Sequence, residues 1–204
     1  MIYLLCASVP ENFDADQAVD SLLSLIGRSN SEYFDEIKGR KNAPESLCAY
    51  LLLAKALSNF NCGDSLILSR SELGKPRFDG SNISFSISHS ERLAVCAVSD
   101  EGGVGVDIEA KEISPEKAVK LAKRYFNDDE ITTVEANPEK FARIWTKKEA
   151  KAKFFGSSLS KILEEDKICQ DTSEIACHSF EYKGAPISLF TQEKFRDVKL
   201  IVTE

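Results

Sequence analysis

Hydrophobic and polar positions change period several times along the chain, and each change marks an element. The opening run Ile2-Tyr3-Leu4-Leu5-Cys6 has no basic segment ahead of it, which predicts a first strand and not a secretory signal. Residues 16–26 place Ala18, Leu22, Leu25 and Ile26 at helical spacing and stop at Gly27. A longer helix is predicted from Pro44 to about Leu57, with Leu47, Leu51, Ala54 and Leu57 as its stripe; its proline sits where a missing N–H is harmless. The period then falls to two. Ile83, Phe85 and Ile87 alternate with Ser84, Ser86 and Ser88, the chain turns at Ser90-Glu91-Arg92, and Leu93 to Val98 return as a hairpin partner. Beyond the Asp100-Glu101-Gly102-Gly103 turn, Val104–Ile108 reads as a third strand, so three adjacent antiparallel strands are expected.

Helical spacing resumes after Ser114-Pro115 and runs to about Phe126, where Asn127 and Asp128 can cap a short acidic helix. Asn137-Pro138-Glu139 starts another helix, which Gly156 ends, and residues 177–203 read as strands turning at Lys183-Gly184 and near Gln192 to Arg196. The pattern predicts a mixed α+β protein with no internal repeat.

Composition narrows the function. With 26 Lys and Arg against 33 Asp and Glu among 204 residues, the net charge is −7, so a general nucleic-acid or anionic-membrane binder is not expected. Any phosphate chemistry must use a local basic patch. The longest apolar runs, such as Leu51-Leu52-Leu53-Ala54, are far shorter than the ~20 residues that span a bilayer, and a cytoplasmic location is expected. Six cysteines show neither CxxC pairing nor ligand spacing with the two histidines, His89 and His178, so they read as reduced, mostly core residues and not as a zinc site.

The strand Gly105-Val106-Asp107-Ile108-Glu109 is the most informative stretch. Side chains alternate across a strand, which puts Asp107 and Glu109 on one face about 6 to 7 Å apart. Two carboxylates so placed suit a hard cation such as Mg²⁺, which takes carboxylates, waters and phosphate oxygens. The plainer alternative is a solvated outer face. In the helix from Pro138 to Phe155, the residues Phe141, Ile144, Trp145, Ala152 and Phe155 share an arc that also contains Lys148, with Glu149 and Lys153 on its flank. Arg143, Lys147, Lys148, Lys151 and Lys153 stand against one acid, Glu149, and are either an anion site or an exposed face with snorkelling stems. Ser88-His89-Ser90 lies at the hairpin's turn end. It cannot form a hydrolase pair by adjacency, no G-x-S-x-G elbow exists, and His89 could be an ordinary turn histidine. Gly74-Lys75-Pro76 is a turn by composition.

In this order and spacing, Gly74-Lys75-Pro76, Phe85-Ser86-Ile87-Ser88-His89-Ser90, Val104-Gly105-Val106-Asp107-Ile108-Glu109, Phe126 with Glu130, and Trp145-Thr146-Lys147-Lys148-Glu149-Ala150 with Lys153 and Gly156 resemble the 4′-phosphopantetheinyl transferases. The likeness is to the longer, monomeric type that serves peptide and polyketide synthases, and it covers residues 74–163. It implies two similar α/β halves with pseudo-twofold symmetry, residues 1–102 and 103–204, with the active site in the cleft between them. It implies Mg²⁺ on Asp107, Glu109 and Glu149, and coenzyme A held by Lys75, Pro76, Ser88, His89, Lys148 and Lys153. Glu149, Lys153 and His89 would carry the chemistry: phosphopantetheine passes to a serine of an acyl or peptidyl carrier protein and 3′,5′-adenosine bisphosphate leaves. The residues fit such a step without the name, because breaking a diphosphate needs charge neutralisation and removal of the attacking serine's proton.

Ser86 stands where the family has Asn, Ser158 where it has Gly, and Glu45 where it has a basic residue, so the contact to the coenzyme's 3′-phosphate would fall to Lys38, Arg40, Lys41 or Lys55. These departures motivate a rival reading, a non-catalytic relative that binds coenzyme A or a carrier protein. A third reading is another Mg²⁺ and nucleotide transferase, favoured if ATP but not coenzyme A binds.

Overall fold

The computed structural model describes residues 1–60, 66–167, 175–192 and 198–202. The first strand, β1 (Ile2–Ser8), leads to α1 (Ala15–Ile26), α2 (Ser31–Lys38), α3 (Ala43–Leu57) and a short ribbon, β2 (Leu68–Arg70) with β3 (Pro76–Phe78). The hairpin β4 (Ser84–Ser90) and β5 (Leu93–Ser99) precedes β6 (Val104–Ile108). Four helices follow, α4 (Pro115–Tyr125), α5 (Asp128–Ala136), α6 (Lys140–Phe155) and α7 (Leu159–Lys167), then β7 (Ile175–Tyr182), β8 (Ala185–Gln192) and β9 (Val198–Val202). The mixed α+β class is as expected.

Local rules explain most boundaries. Asp14 accepts from the Gln17 N–H to open α1, and Ser114 does the same for Lys117 at α4. Asn127 and Glu130 close a reciprocal capping box on α5. Gly156, at φ 60°, ends α6 in the left-handed conformation that a residue with a Cβ resists. The α2 and α7 helices add to the expected elements; Phe34 and Ile37 in the first and Ile162 and Leu163 in the second are their buried positions.

The first sheet has the order β4-β5-β1-β9 and is buried on both faces, which is why β1 and β5 read as unbroken apolar runs. Tyr3, Leu5 and Ala7 pack with α1, α2 and α3 in one core; Ile2, Leu4 and Cys6 pack with Val104, Val106, Ile187 and Leu189 in a second. Because α3 lies between the sheet and the other two helices, it is buried beyond its predicted stripe, with Ala49, Leu53 and Ala56 inaccessible. Leu25 of α1 and Phe155 of α6, both counted among apolar stripes, are instead exposed.

The three adjacent strands are not observed. The β4–β5 hairpin forms through a two-residue turn, Glu91-Arg92, both at positive φ, but β6 joins a separate sheet of order β6-β8-β7. It lies across the serine-bearing face of β4 and not beside its edge. The N–H groups of Val104, Val106 and Ala110 donate to Ser84, Ser86 and Ser90 hydroxyls at 3.3, 3.1 and 3.0 Å, so side chains stand in for a backbone ladder. That contact gives Ser86 its role. On its other side β6 meets α6 so closely that a Cβ on Gly105 would lie 2.2 Å from the Ala150 carbonyl oxygen and 2.3 Å from the Phe154 nitrogen.

After the Lys183-Gly184 turn, again at positive φ, β8 pairs with both β6 and β7, and β9 returns to the first sheet parallel to β1. The turn expected near Gln192 to Arg196 falls mainly outside the described residues, as do Cys62 and Cys169. Cys6, Cys48 and Cys96 are buried as expected, whereas Cys177 is exposed. No described helix is long and apolar enough to cross a membrane.

Candidate active site

Where β4, β6 and α6 meet, four charged side chains converge. Asp107 is 3% exposed, which rules out a solvated strand face. Its Oδ1 accepts from the Ser88 hydroxyl at 2.7 Å and from the Lys153 ammonium at 2.8 Å. Glu109 Oε1 accepts from the Ser90 hydroxyl at 2.6 Å and the Lys111 N–H at 2.9 Å. From α6, Glu149 faces both: burial, then the Asp107 charge, push its pKa up from 4.5 to about 7, with Glu109 adding and Lys153 and Trp145 opposing. The sequence-derived set Asp107, Glu109, Glu149, Lys153 and Ser88 is therefore brought together.

Lys75 belongs to the same place but in another role than a free cation. Its ammonium donates to the carbonyls of Lys153 at 2.6 Å and Val104 at 3.1 Å, and burial, with Lys153 adding, lowers its pKa to about 8. Lys75 and Pro76 line a cavity of about 250 Å³ with Ser86, Ile87, Lys153 and Gly156. His89 is not a turn histidine. It points away from Ser88 toward the start of α3, where its Nε2 lies 3.0 Å from Asn42 Nδ2 and 3.3 Å from Ser46 Oγ. Burial and then Lys153 lower its pKa, so at neutral pH it is uncharged and accepts from the Asn42 amide. Positive charge at this site comes from Lys153 and Lys75 and not from His89.

Lys148 departs from expectation. It is 3% exposed, held by Glu130 at 2.9 Å and Asp166 at 3.1 Å, with its ammonium 5.3 Å from the Phe126 ring centre. Lys151 joins Asp166 at 2.5 Å. A lysine in an apolar stripe needs a buried counter-charge, and here α5 and α7 supply two; Lys148 thus ties three helices together and does not reach the Asp107 cluster. The missed residue was Asp166, in α7, where Leu159, Ile162 and Leu163 at helical spacing were the signal that could have placed it. Of the stand-ins for a cation at Glu45, Lys38 pairs with Asp16 and Arg40 with Glu36.

Among the described residues, no three His, Cys, Asp or Glu side chains stand close enough to form a finished metal cage. The chemistry of the donor set nevertheless fits Mg²⁺: Asp107, Glu109 and Glu149 offer the hard oxygen donors this cation takes, and it would relieve the repulsion that, after burial, raises the Glu149 pKa. No described residue bonds the second oxygen of Asp107 or of Glu109.

Comparison with known proteins gives the family. The family model of the 4′-phosphopantetheinyl transferase superfamily matches residues 103–202. The 4′-phosphopantetheinyl transferase gsp of Aneurinibacillus migulanus is 28% identical over 206 residues, 98% of this chain and 84% of that protein. The 4′-phosphopantetheinyl transferase HetI of a Nostoc species is 31% identical over 182 residues, 82% of this chain and 72% of that protein. The AcpT transferase of Salmonella typhi reaches 41%, over 102 residues. The family model and these relatives make the chain an enzyme of the group-transfer class. The chain belongs to the 4′-phosphopantetheinyl transferase superfamily.

Proposed function

We propose that the protein transfers 4′-phosphopantetheine from coenzyme A to a serine of an acyl or peptidyl carrier protein in a Mg²⁺-dependent reaction, releasing 3′,5′-adenosine bisphosphate. It acts in the cytoplasm as a monomer, with residues 1–102 and 103–204 as two similar halves around the cleft. The observation that carries this reading is the convergence of Asp107, Glu109 and the half-buried Glu149 with Lys153, whose ammonium is 2.8 Å from Asp107, where β6 meets α6.

Asp107, Glu109 and Glu149 would hold the Mg²⁺, which supplies neutralisation of charge on the diphosphate. Lys153 reaches the same place from α6 and balances negative charge that grows on the departing bisphosphate. The carrier serine's Oγ bonds to the phosphorus bearing pantetheine as that phosphorus parts from the bridging oxygen, which leaves with the bisphosphate. The serine proton passes to the Glu149 carboxylate as general base. Lys75 and Pro76 border the cavity beside Lys153, and Ser88 holds Asp107 in place for the cation.

Glu149→Gln separates binding from chemistry. Coenzyme A affinity measured by calorimetry should be kept or improved, while transfer should fall by at least ~10²-fold, the scale for losing a general base; full transfer activity would remove Glu149 from the mechanism. The same variant has a stability signature. A carboxylate whose folded pKa lies above its ordinary 4.5 contributes stability that is complete below 4.5 and is lost as pH rises through about 7. In chelator, the variant should therefore melt at the wild-type temperature near pH 4 and higher than wild type at pH 8.

Glu45 in the first turn of α3 and the uncharged His89 beside it support a weak 3′-phosphate contact. Coenzyme A should be preferred over its 3′-dephospho form by less than ~100-fold, ~2.7 kcal/mol; a larger preference by calorimetry would mean that another cation has taken over.

A further inference from the structure

We infer that Ser90 is a positioning residue for the cation site: it locks one oxygen of Glu109 so that the other is presented to the cleft. The inference rests on the reading of Asp107, Glu109 and Glu149 as cation ligands.

The four serines on this face of β4 divide their work. Ser84 and Ser86 accept only from backbone N–H groups of β6, at Val104 and Val106. Ser88 and Ser90 donate to carboxylates, Asp107 at 2.7 Å and Glu109 at 2.6 Å. Ser90 does both, since its oxygen also accepts from the Ala110 N–H at 3.0 Å. That backbone bond takes up a lone pair and leaves the hydroxyl proton for Glu109. The Lys111 N–H, 2.9 Å away, falls on the same Oε1, so this oxygen carries two donors while no described residue bonds Oε2. Asp107 repeats the arrangement, with Ser88 and Lys153 both on Oδ1. Each strand carboxylate thus has one oxygen engaged and the other without a bonding partner among the described residues.

Glu109 needs this support more than Asp107. It sits just past the end of β6, it has one more rotatable bond, and no lysine ammonium among the described residues pairs with it. Without the Ser90 proton, Oε1 would keep only the Lys111 N–H and the carboxylate could rotate about it. Partners that orient metal ligands in this way typically affect metal affinity by 10- to 100-fold.

The test is Mn²⁺ binding to the protein alone, followed by electron paramagnetic resonance, with no coenzyme or carrier present. Ser90→Ala should weaken Mn²⁺ by about 10-fold or more, Ser90→Cys, similar in size with a weaker donor, should weaken it less, and Ser90→Thr should bind like wild type. Coenzyme A affinity in chelator should be unchanged in all three. Unaltered Mn²⁺ affinity in Ser90→Ala or equal affinity in Ser90→Cys and wild type would overturn the inference, even if the melting temperature falls, because the serine would then serve only the Ala110 N–H. Wild type that binds no Mn²⁺, or Asp107→Ala that binds it as well as wild type, would instead remove the cation reading beneath it.

Discussion

Asp107→Ala is expected to abolish transfer, by at least ~10³-fold at saturating coenzyme A, while the protein stays folded. The substitution removes the acceptor shared by Ser88 and Lys153 at the centre of the cluster. It also removes the charge that, after burial, does most to raise the Glu149 pKa, so Lys153 gains a nearby carboxylate freed of one repulsion. These effects offset each other in stability and compound each other in activity. Steady-state transfer and a melting curve on the same preparation check both halves of the expectation, and near-normal transfer at limiting Mg²⁺ would show that Asp107 is not a ligand.

Among the described glycines compared for close contacts, Gly105→Ala should have the largest effect on stability. The new Cβ would meet the Ala150 carbonyl oxygen at 2.2 Å, the Phe154 nitrogen at 2.3 Å and the Phe154 Cα at 2.7 Å, all backbone atoms of α6 that cannot rotate aside. Relief requires β6 and α6 to part. Overpacking usually costs ~1–3 kcal/mol, and a clash with backbone belongs at or above the top of that range. At this chain length such a loss lowers the melting temperature by ~6–12 °C. Because β6 carries Asp107 and α6 carries Glu149 and Lys153, transfer should fall even in the fraction that remains folded. A melting temperature within a degree or two of wild type would mean that the two elements are not packed as described.

The parts of the site legible in the sequence are those set by local geometry. Alternation along residues 104–109 put Asp107 and Glu109 on one face, and helical spacing put Glu149 and Lys153 on one flank, as observed. What escaped depends on contacts between distant segments. The serines of β4 looked like the polar half of an amphipathic strand, yet they replace a backbone ladder and draw β6 across the hairpin. Lys148 looked available because the acid that neutralises it, Asp166, lies in a helix packed against it from a later segment of the chain. His89 looked able to carry charge because its burial against Asn42 and Ser46 comes from a helix 40 residues earlier. Gly105 gave no signal, since a strand glycine shows its purpose only when the helix packed on it is seen.

The central claim is that this cluster transfers phosphopantetheine, and the intact mass of a carrier protein tests it most directly. A purified apo acyl or peptidyl carrier protein is incubated with the enzyme, coenzyme A and Mg²⁺, alongside the same mixture in chelator and one with Glu149→Gln. The account predicts a gain of one phosphopantetheine mass on the carrier serine in the first mixture and little or none in the other two. An unmodified carrier in all three, across several acyl and peptidyl carrier types, would contradict it.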